Sequence, residues 1–148
     1  MKKILPPMLF FIFLLVMALI CWSMGSPHNI SYPYNLVGLP FALGGLLLAV
    51  TGKRTFNRIG TNVMTFDEPD VLVTEGIFKY TRNPMYLGFV ISMVGFSMLM
   101  GAAVSSLLLA GVFFLVTDRW YIAFEEEVMR RKFGQDYEVY CQKVRRWF

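Results

Sequence analysis

Two stretches of this chain hold residue types that could do chemistry. The first is LVTEGIFKYTRNPMYLG, residues 72–88. Within it, Asn83-Pro84 ends extended backbone and opens a helix, with Pro84 near the first helical position. A helix start presents backbone N–H groups that have no partner inside the helix, and these favour a carboxylate or a phosphate. Arg82, Tyr80 and Tyr86 stand beside that start. The second stretch is Glu125-Glu126-Glu127. Phe124, Val128 and Phe133 hold part of this helix against apolar surroundings, so one of the three acids is expected to point inward. A partly buried carboxylate there would bind an amine, a ribose hydroxyl or a cationic ligand. Each stretch also has a plainer reading. Arg, Lys and Tyr anchor helices at membrane interfaces, and three adjacent acids can form a solvated helix face.

The rest of the chain says where such chemistry would sit. Its 148 residues are 56% hydrophobic, 16% aromatic and 16% charged, with mean hydropathy +0.53. Soluble domains are about 25% charged, so a single integral membrane domain over residues 1–148 is expected. Twelve Gly, seven Pro and two Cys exclude collagen-like and disulfide-scaffold classes. Cys21 lies in an apolar run and Cys141 in a charged one, so no disulfide joins them, and Cys141 reads as structural. His28 is the one histidine, and no metal site is expected. Ser105-Ser106 lacks a nearby His or Asp, and no GxGxxG loop is present. The net charge of +4 reads as membrane orientation, with no nucleic-acid partner.

Apolar runs predict spans at about 4–24, 34–50, 84–100 and 103–118. The first is longer than a signal-peptide core and is read as a retained span. Pro40, Gly44 and Gly45 predict a kink and a close helix contact, and the Gly44-Gly45 face is a candidate for a homodimer. Residues 85–116 carry no charge, and Gly101-Ala102-Ala103 marks a hairpin turn between the last two spans. Residues 51–83 are expected to be a cytoplasmic loop with a turn at Asp67-Glu68-Pro69. Residues 119–148 are expected to form cytoplasmic helices broken at Gly134, and Arg145-Arg146-Trp147-Phe148 reads as an interfacial anchor. All fourteen Lys and Arg fall in residues 1–3, 51–83 and 119–148. With four spans these segments share one face, which places both termini and the long loop in the cytoplasm. The expected fold is therefore all-α: a bundle of four short transmembrane helices under a cytoplasmic helical cap.

Residues 72–88, followed by FEEEVMRRKFGQDYEVYCQKVRRW, resemble the isoprenylcysteine carboxyl methyltransferase and phospholipid methyltransferase superfamily. The resemblance rests on Leu72-Val73-Thr74, Gly76, Phe78, Arg82-Asn83-Pro84-Met85-Tyr86, Gly88, Glu125-Glu126, Phe133-Gly134, Tyr137 and Tyr140. It implies a small membrane methyltransferase that uses S-adenosyl-L-methionine and acts on a membrane lipid or lipidated substrate. It implies cofactor contacts from Asp70, Val71, Leu72, Val73, Phe78, Asn83, Pro84, Met85, Tyr86 and Glu125. It makes Glu126, Tyr86 and Arg82 the candidate catalytic residues, with Glu126 or Tyr86 as the base an amine acceptor would need. Two positions depart from the pattern. Asn83 stands where His is usual, and Tyr121 stands where the prenylcysteine enzymes carry an Arg that pairs with the substrate carboxylate. Two other readings remain at this point: an NADPH-dependent membrane reductase of the sterol-reductase kind, which shares a related element, and a non-catalytic membrane subunit.

Overall fold

The computed structural model describes residues 4–23, 25, 28–60 and 70–148. Helices are the regular structure among the described residues, joined by turns and irregular segments, with no strand among them. Three long elements are apolar enough to cross a membrane: α1 (Pro6–Ser23), the second helix with its lead-in turn (Tyr34–Ile59), and a continuous helix over Val104–Phe133. A shorter apolar helix, α3 (Pro84–Leu99), lies among them. At 1.5 Å per residue its 16 residues span about 24 Å, short of the roughly 30 Å hydrocarbon core.

The second helix, α2 (Gly38–Ile59), runs antiparallel to α3 along a seam of small residues. Gly38, Gly45 and Gly52 recur every seven residues and face Gly95, Gly88 and Met85 in turn. A Cβ at Gly45 would strike the Gly88 carbonyl oxygen, and one at Gly88 would strike that of Gly45. Ser92 donates a buried hydrogen bond across the seam to the Ala42 carbonyl at 2.5 Å. Small residues let two backbones approach this closely in lipid, where van der Waals packing drives association. The Gly45 face is thus used inside the chain and is not open for a homodimer. Gly44 faces outward, with nothing near its missing Cβ.

On the other side of α3, Phe10 and Met17 of α1 pack with Met93 and with Ala110 and Phe113 of α4 (Val104–Val116). Phe10 stacks on Phe89 at 5.1 Å between ring centroids. At one end of the bundle, residues 28–35 close the hairpin between α3 and α4. The Asn29 amide donates to the Ala102 carbonyl at 2.8 Å and the Asn35 amide to that of Leu99 at 2.9 Å. The turn itself needs left-handed backbone at Gly101 (φ 80°) and Ala102 (φ 49°). This is the hairpin the sequence predicts. At the opposite end the Tyr121 hydroxyl reaches the Ile4 carbonyl, Gly52 meets Met85, and Tyr86 lies against Tyr121. The start of α1, the end of α2, the start of α3 and the far end of α4 therefore meet at one polar end.

Three sequence expectations need correction. Residues 51–59 are the last turns of α2 and not loop, because Gly52, Thr55 and Phe56 carry its buried face onward until the left-handed Gly60 closes it. Residues 34–37 form a single 3₁₀ turn ahead of α2. Pro40 follows closely on this turn, as the third residue of α2. There is also no break near residue 118. α4 passes through a π-helical turn, Thr117–Ile122, directly into the acidic helix α5 (Ala123–Phe133). Gly134 (φ 48°) then ends α5 as expected and starts α6 (Gln135–Lys143). The expected turn at Asp67-Glu68-Pro69 lies outside the described residues.

Candidate functional site

The polar end is organised around the start of α3. Pro84 occupies the first helical position, as the sequence predicts. No side chain caps this start. The Asn83 amide nitrogen instead donates to the Arg146 carbonyl at 3.1 Å, and its backbone N–H donates to the Thr81 hydroxyl at 3.2 Å. Two residues into the helix, the buried Tyr86 donates its hydroxyl hydrogen to Glu125 Oε1 at 2.6 Å, a bridge between residues 39 apart in sequence. A second bridge joins Arg82 to Glu126 at 3.0 Å. The two stretches that could do chemistry thus converge on one spot.

Of the three adjacent acids, Glu126 is the one buried, its side chain 4% exposed. Glu125 is half-buried on Tyr86. Glu127 is exposed and pairs with Arg131 at 3.6 Å. Glu126 also takes a two-pronged contact from Arg146, Nε to Oε1 at 3.1 Å and an NH2 group to Oε2 at 2.6 Å. Paired charges and a forked guanidinium make burial of this carboxylate tolerable. The hydrogen bond to Glu126 and burial act oppositely on Arg146, and the hydrogen bond dominates, which raises its pKa and holds it as a cation. One buried donor here has no partner: Arg82 Nε.

The remaining predicted residues fall into three groups. Val73 and Phe78 are buried against Phe56, with Met85 beside them, and the Phe56 and Phe78 rings meet edge-on at 4.9 Å. Leu72 packs instead on Tyr137, Tyr140 and Val144. Asp70 and Val71 are exposed. The backbone carrying Phe78 is pinned by the Tyr140 hydroxyl, which donates to the Phe78 carbonyl at 2.7 Å. Burial pushes both phenols well above the usual tyrosine range, and for Tyr137 the negative charge of Glu126 adds to it.

The sequence left out three residues that the fold brings here. Arg146 and Trp147 do not form a simple interfacial anchor, because they turn back onto the site. Arg146 reaches Asp118 as well as Glu126, at 3.2 Å, and the Trp147 indole N–H donates to Asp118 at 3.0 Å. The sequence carries no local signal for this, because Arg146 and Trp147 lie 28 and 29 residues beyond Asp118. Tyr121, where an Arg was expected from the resemblance, is buried and bonded to the Ile4 carbonyl. Arg119 points away, its side chain 83% exposed and paired with Asp118. Among the described residues no group of three His, Cys, Asp or Glu side chains could hold a metal ion.

Residues 34–136, which include both converging stretches, match the phospholipid methyltransferase family. The chain belongs to that family. It is 43% identical over 98 residues to a protein-S-isoprenylcysteine O-methyltransferase of Schizosaccharomyces pombe, covering 64% of this chain and 39% of that protein. It is 32% identical over 115 residues to a probable protein-S-isoprenylcysteine O-methyltransferase of Oryza sativa subsp. indica, covering 74% of this chain and 58% of the relative. It is also 40% identical over 65 residues to an uncharacterized protein of Haemophilus influenzae, covering 43% of this chain and 98% of that one. The chain thus spans little more than half the length of the rice relative, and less of the yeast one. No solved structure matches it. The description of the family and the names of the yeast and rice relatives favour methyl transfer over the reductase reading.

Proposed function

We propose that this chain is a multi-pass membrane methyltransferase that binds S-adenosyl-L-methionine at the polar end of its helices and methylates a lipid or lipidated acceptor. The observation that carries the proposal is the double bridge from Tyr86 to Glu125 and from Arg82 to Glu126. It puts an uncapped helix start, a half-buried carboxylate and a buried cation within one small volume.

The donor set fits the group. A methionine moiety is a zwitterion. Its ammonium suits Glu125, and its carboxylate suits the N-terminus of α3 together with the unpartnered Arg82 Nε. Val73 and Phe78 offer an apolar wall for adenine, with Leu72 and Met85 at its edges and Asp70 and Val71 at the exposed rim. When bound, S-adenosylmethionine supplies an electrophilic methyl on a sulfonium. Tyr86 then orients Glu125 by donating to it. Glu126 holds Arg82 in place, since both of its oxygens are taken by guanidinium groups. Alignment and exclusion of water are the main contributions of such a site. A carboxylate acceptor needs no base, whereas a protonated amine needs one, and Tyr86 with Glu125 is the pair placed to accept that proton.

The alternating directions of α1, α2, α3 and the continuous helix over Val104–Phe133 support four crossings, with α3 the shortest of the four elements. Every Lys and Arg among the described residues sits at or beyond the polar end, and the positive-inside rule places that end in the cytoplasm. The test is calorimetry with S-adenosylhomocysteine on the purified protein in lipid nanodiscs, with Glu125→Ala beside it. Micromolar binding that is lost in the variant supports the proposal. Absence of binding by the parent overturns it. Labelled S-adenosylmethionine with total membrane lipid then sorts the acceptor, since a methyl ester is released by alkali and an N-methyl group is not.

A further inference from the structure

We infer that Arg146, braced by Asp118 and Trp147, is a positioning residue for this site: it fixes the start of α3 and the acidic helix α5 relative to each other. The inference rests on the methyltransferase reading for what the site binds. It does not rest on it for the geometry.

Residues 145 and 146 touch each of the three residues that lead into α3. The Arg82 N–H donates to the Arg145 carbonyl at 3.1 Å, and the Thr81 hydroxyl and the Asn83 amide both donate to the Arg146 carbonyl, at 3.2 and 3.1 Å. The side chain of the same Arg146 clasps Glu126 with two prongs and Asp118 with a third contact. One residue therefore ties the loop before α3 with its backbone and the acidic helix with its guanidinium. Glu126 adjoins Glu125, and Arg82 lies four residues before Tyr86. The clasp thus sets the separation across which Tyr86 meets Glu125. Asp118 holds the guanidinium from the far side, and it also accepts the Trp147 indole N–H. The Trp147 ring in turn packs against the buried Tyr86–Tyr121–Ile122 cluster and lies 5.3 Å from Phe114. Planarity matters here. Arg fits two carboxylates at once with a rigid fork, and Lys offers only a point charge.

The experiment compares the parent, R146A, R146K and W147F in nanodiscs. It reads amide hydrogen exchange without ligand and S-adenosylhomocysteine binding by calorimetry. In R146A, exchange at the hydrogen-bonded amides within residues 82–87, those of Arg82, Asn83 and Leu87, is expected to quicken at least tenfold while residues 106–113 in the bundle core keep their protection, and the dissociation constant is expected to rise at least tenfold. R146K should fall between parent and R146A, and W147F should show a smaller change in the same direction. Should R146A lose core protection, R146K and W147F carry the comparison. Unchanged exchange at 82–87 overturns the inference, and so does lost binding with unchanged exchange, which would make Arg146 a direct ligand contact. A parent that fails to bind S-adenosylhomocysteine overturns the methyltransferase reading, while the exchange data still decide the role of Arg146.

Discussion

Replacing Glu126 with Gln keeps the shape of the side chain and removes the charge from the middle of the buried cluster. Two of its three basic neighbours keep another partner: Arg146 retains Asp118 at 3.2 Å, and Arg130 retains Glu138 at 3.2 Å. The loss falls on Arg82, whose side chain is 12% exposed and whose ion pair among the described residues is with Glu126. Breaking a buried pair from one side costs about 3–5 kcal/mol. The amide oxygen of Gln still accepts one hydrogen bond, which puts Glu126→Gln at the low end, about 3 kcal/mol. For a chain of this size that is a drop of roughly 6–12 °C in melting temperature. Removing both charges, with Arg82→Met added, leaves no stranded cation. The double variant should therefore lose clearly less than the two single losses added together. Thermal unfolding in detergent, followed by near-ultraviolet circular dichroism, measures all three. A single variant within about 0.5 kcal/mol of the parent, or strict additivity, would refute the reasoning.

Tyr86→Phe removes the hydroxyl that donates to Glu125, and a hydrogen bond to a charged group is worth about 1.5–3 kcal/mol, so S-adenosylhomocysteine should bind at least tenfold more weakly by calorimetry. Gly45→Ala should destabilise the α2–α3 pair by about 1–3 kcal/mol because its Cβ meets backbone, whereas Gly44→Ala, with open space at its Cβ, should be neutral or slightly stabilising in the same melting assay. Tyr137 and Tyr140 have phenol pKa values raised by burial above the ordinary 10.0. The folded state therefore keeps protons that the unfolded chain loses. Stability is full below pH 10 and falls as pH rises through the folded values, and Tyr140→Phe should flatten that fall in melting curves recorded from pH 9 to 11.5.

The parts of the fold that were legible in the sequence are those governed by local pattern. The charge-free run over residues 85–116 with Gly101-Ala102-Ala103 at its middle admitted one arrangement, a hairpin. Asn83-Pro84 and Gly134 announced a helix start and a helix stop. The end of α2 was missed because hydropathy stops at Val50, although Thr55, Phe56 and Ile59 continue the buried stripe at helical spacing. The unbroken rod over Val104–Phe133 was missed for a related reason: polarity changes sharply at Asp118 but helical geometry does not. Within the site, the meeting of residues 82–86 with 125–126 was implied by the family resemblance, which drew cofactor contacts from both stretches, and not by spacing or periodicity. Arg146, Trp147 and Asp118 were not foreseen, because a pairing between residues 28 or 29 apart leaves no periodicity to read. The choice among Glu125, Glu126 and Glu127 also needed three dimensions, since one residue along a helix turns a side chain by about 100°.

That same angle gives the π-helical turn at Thr117–Ile122 its importance. A turn closed one residue wider than its neighbours works as an angular offset, dialling everything downstream by roughly one side-chain step without disturbing what lies upstream. The lipid-facing half of the rod and its acid-bearing half are thus indexed independently. Excising a single amino acid from this collar would leave Phe113 seated in the bundle and swing both carboxylates away from Tyr86 and Arg82, so the aim of Glu125 and Glu126 hangs on the length of these six residues as well as on the contacts that Asp118 makes from among them.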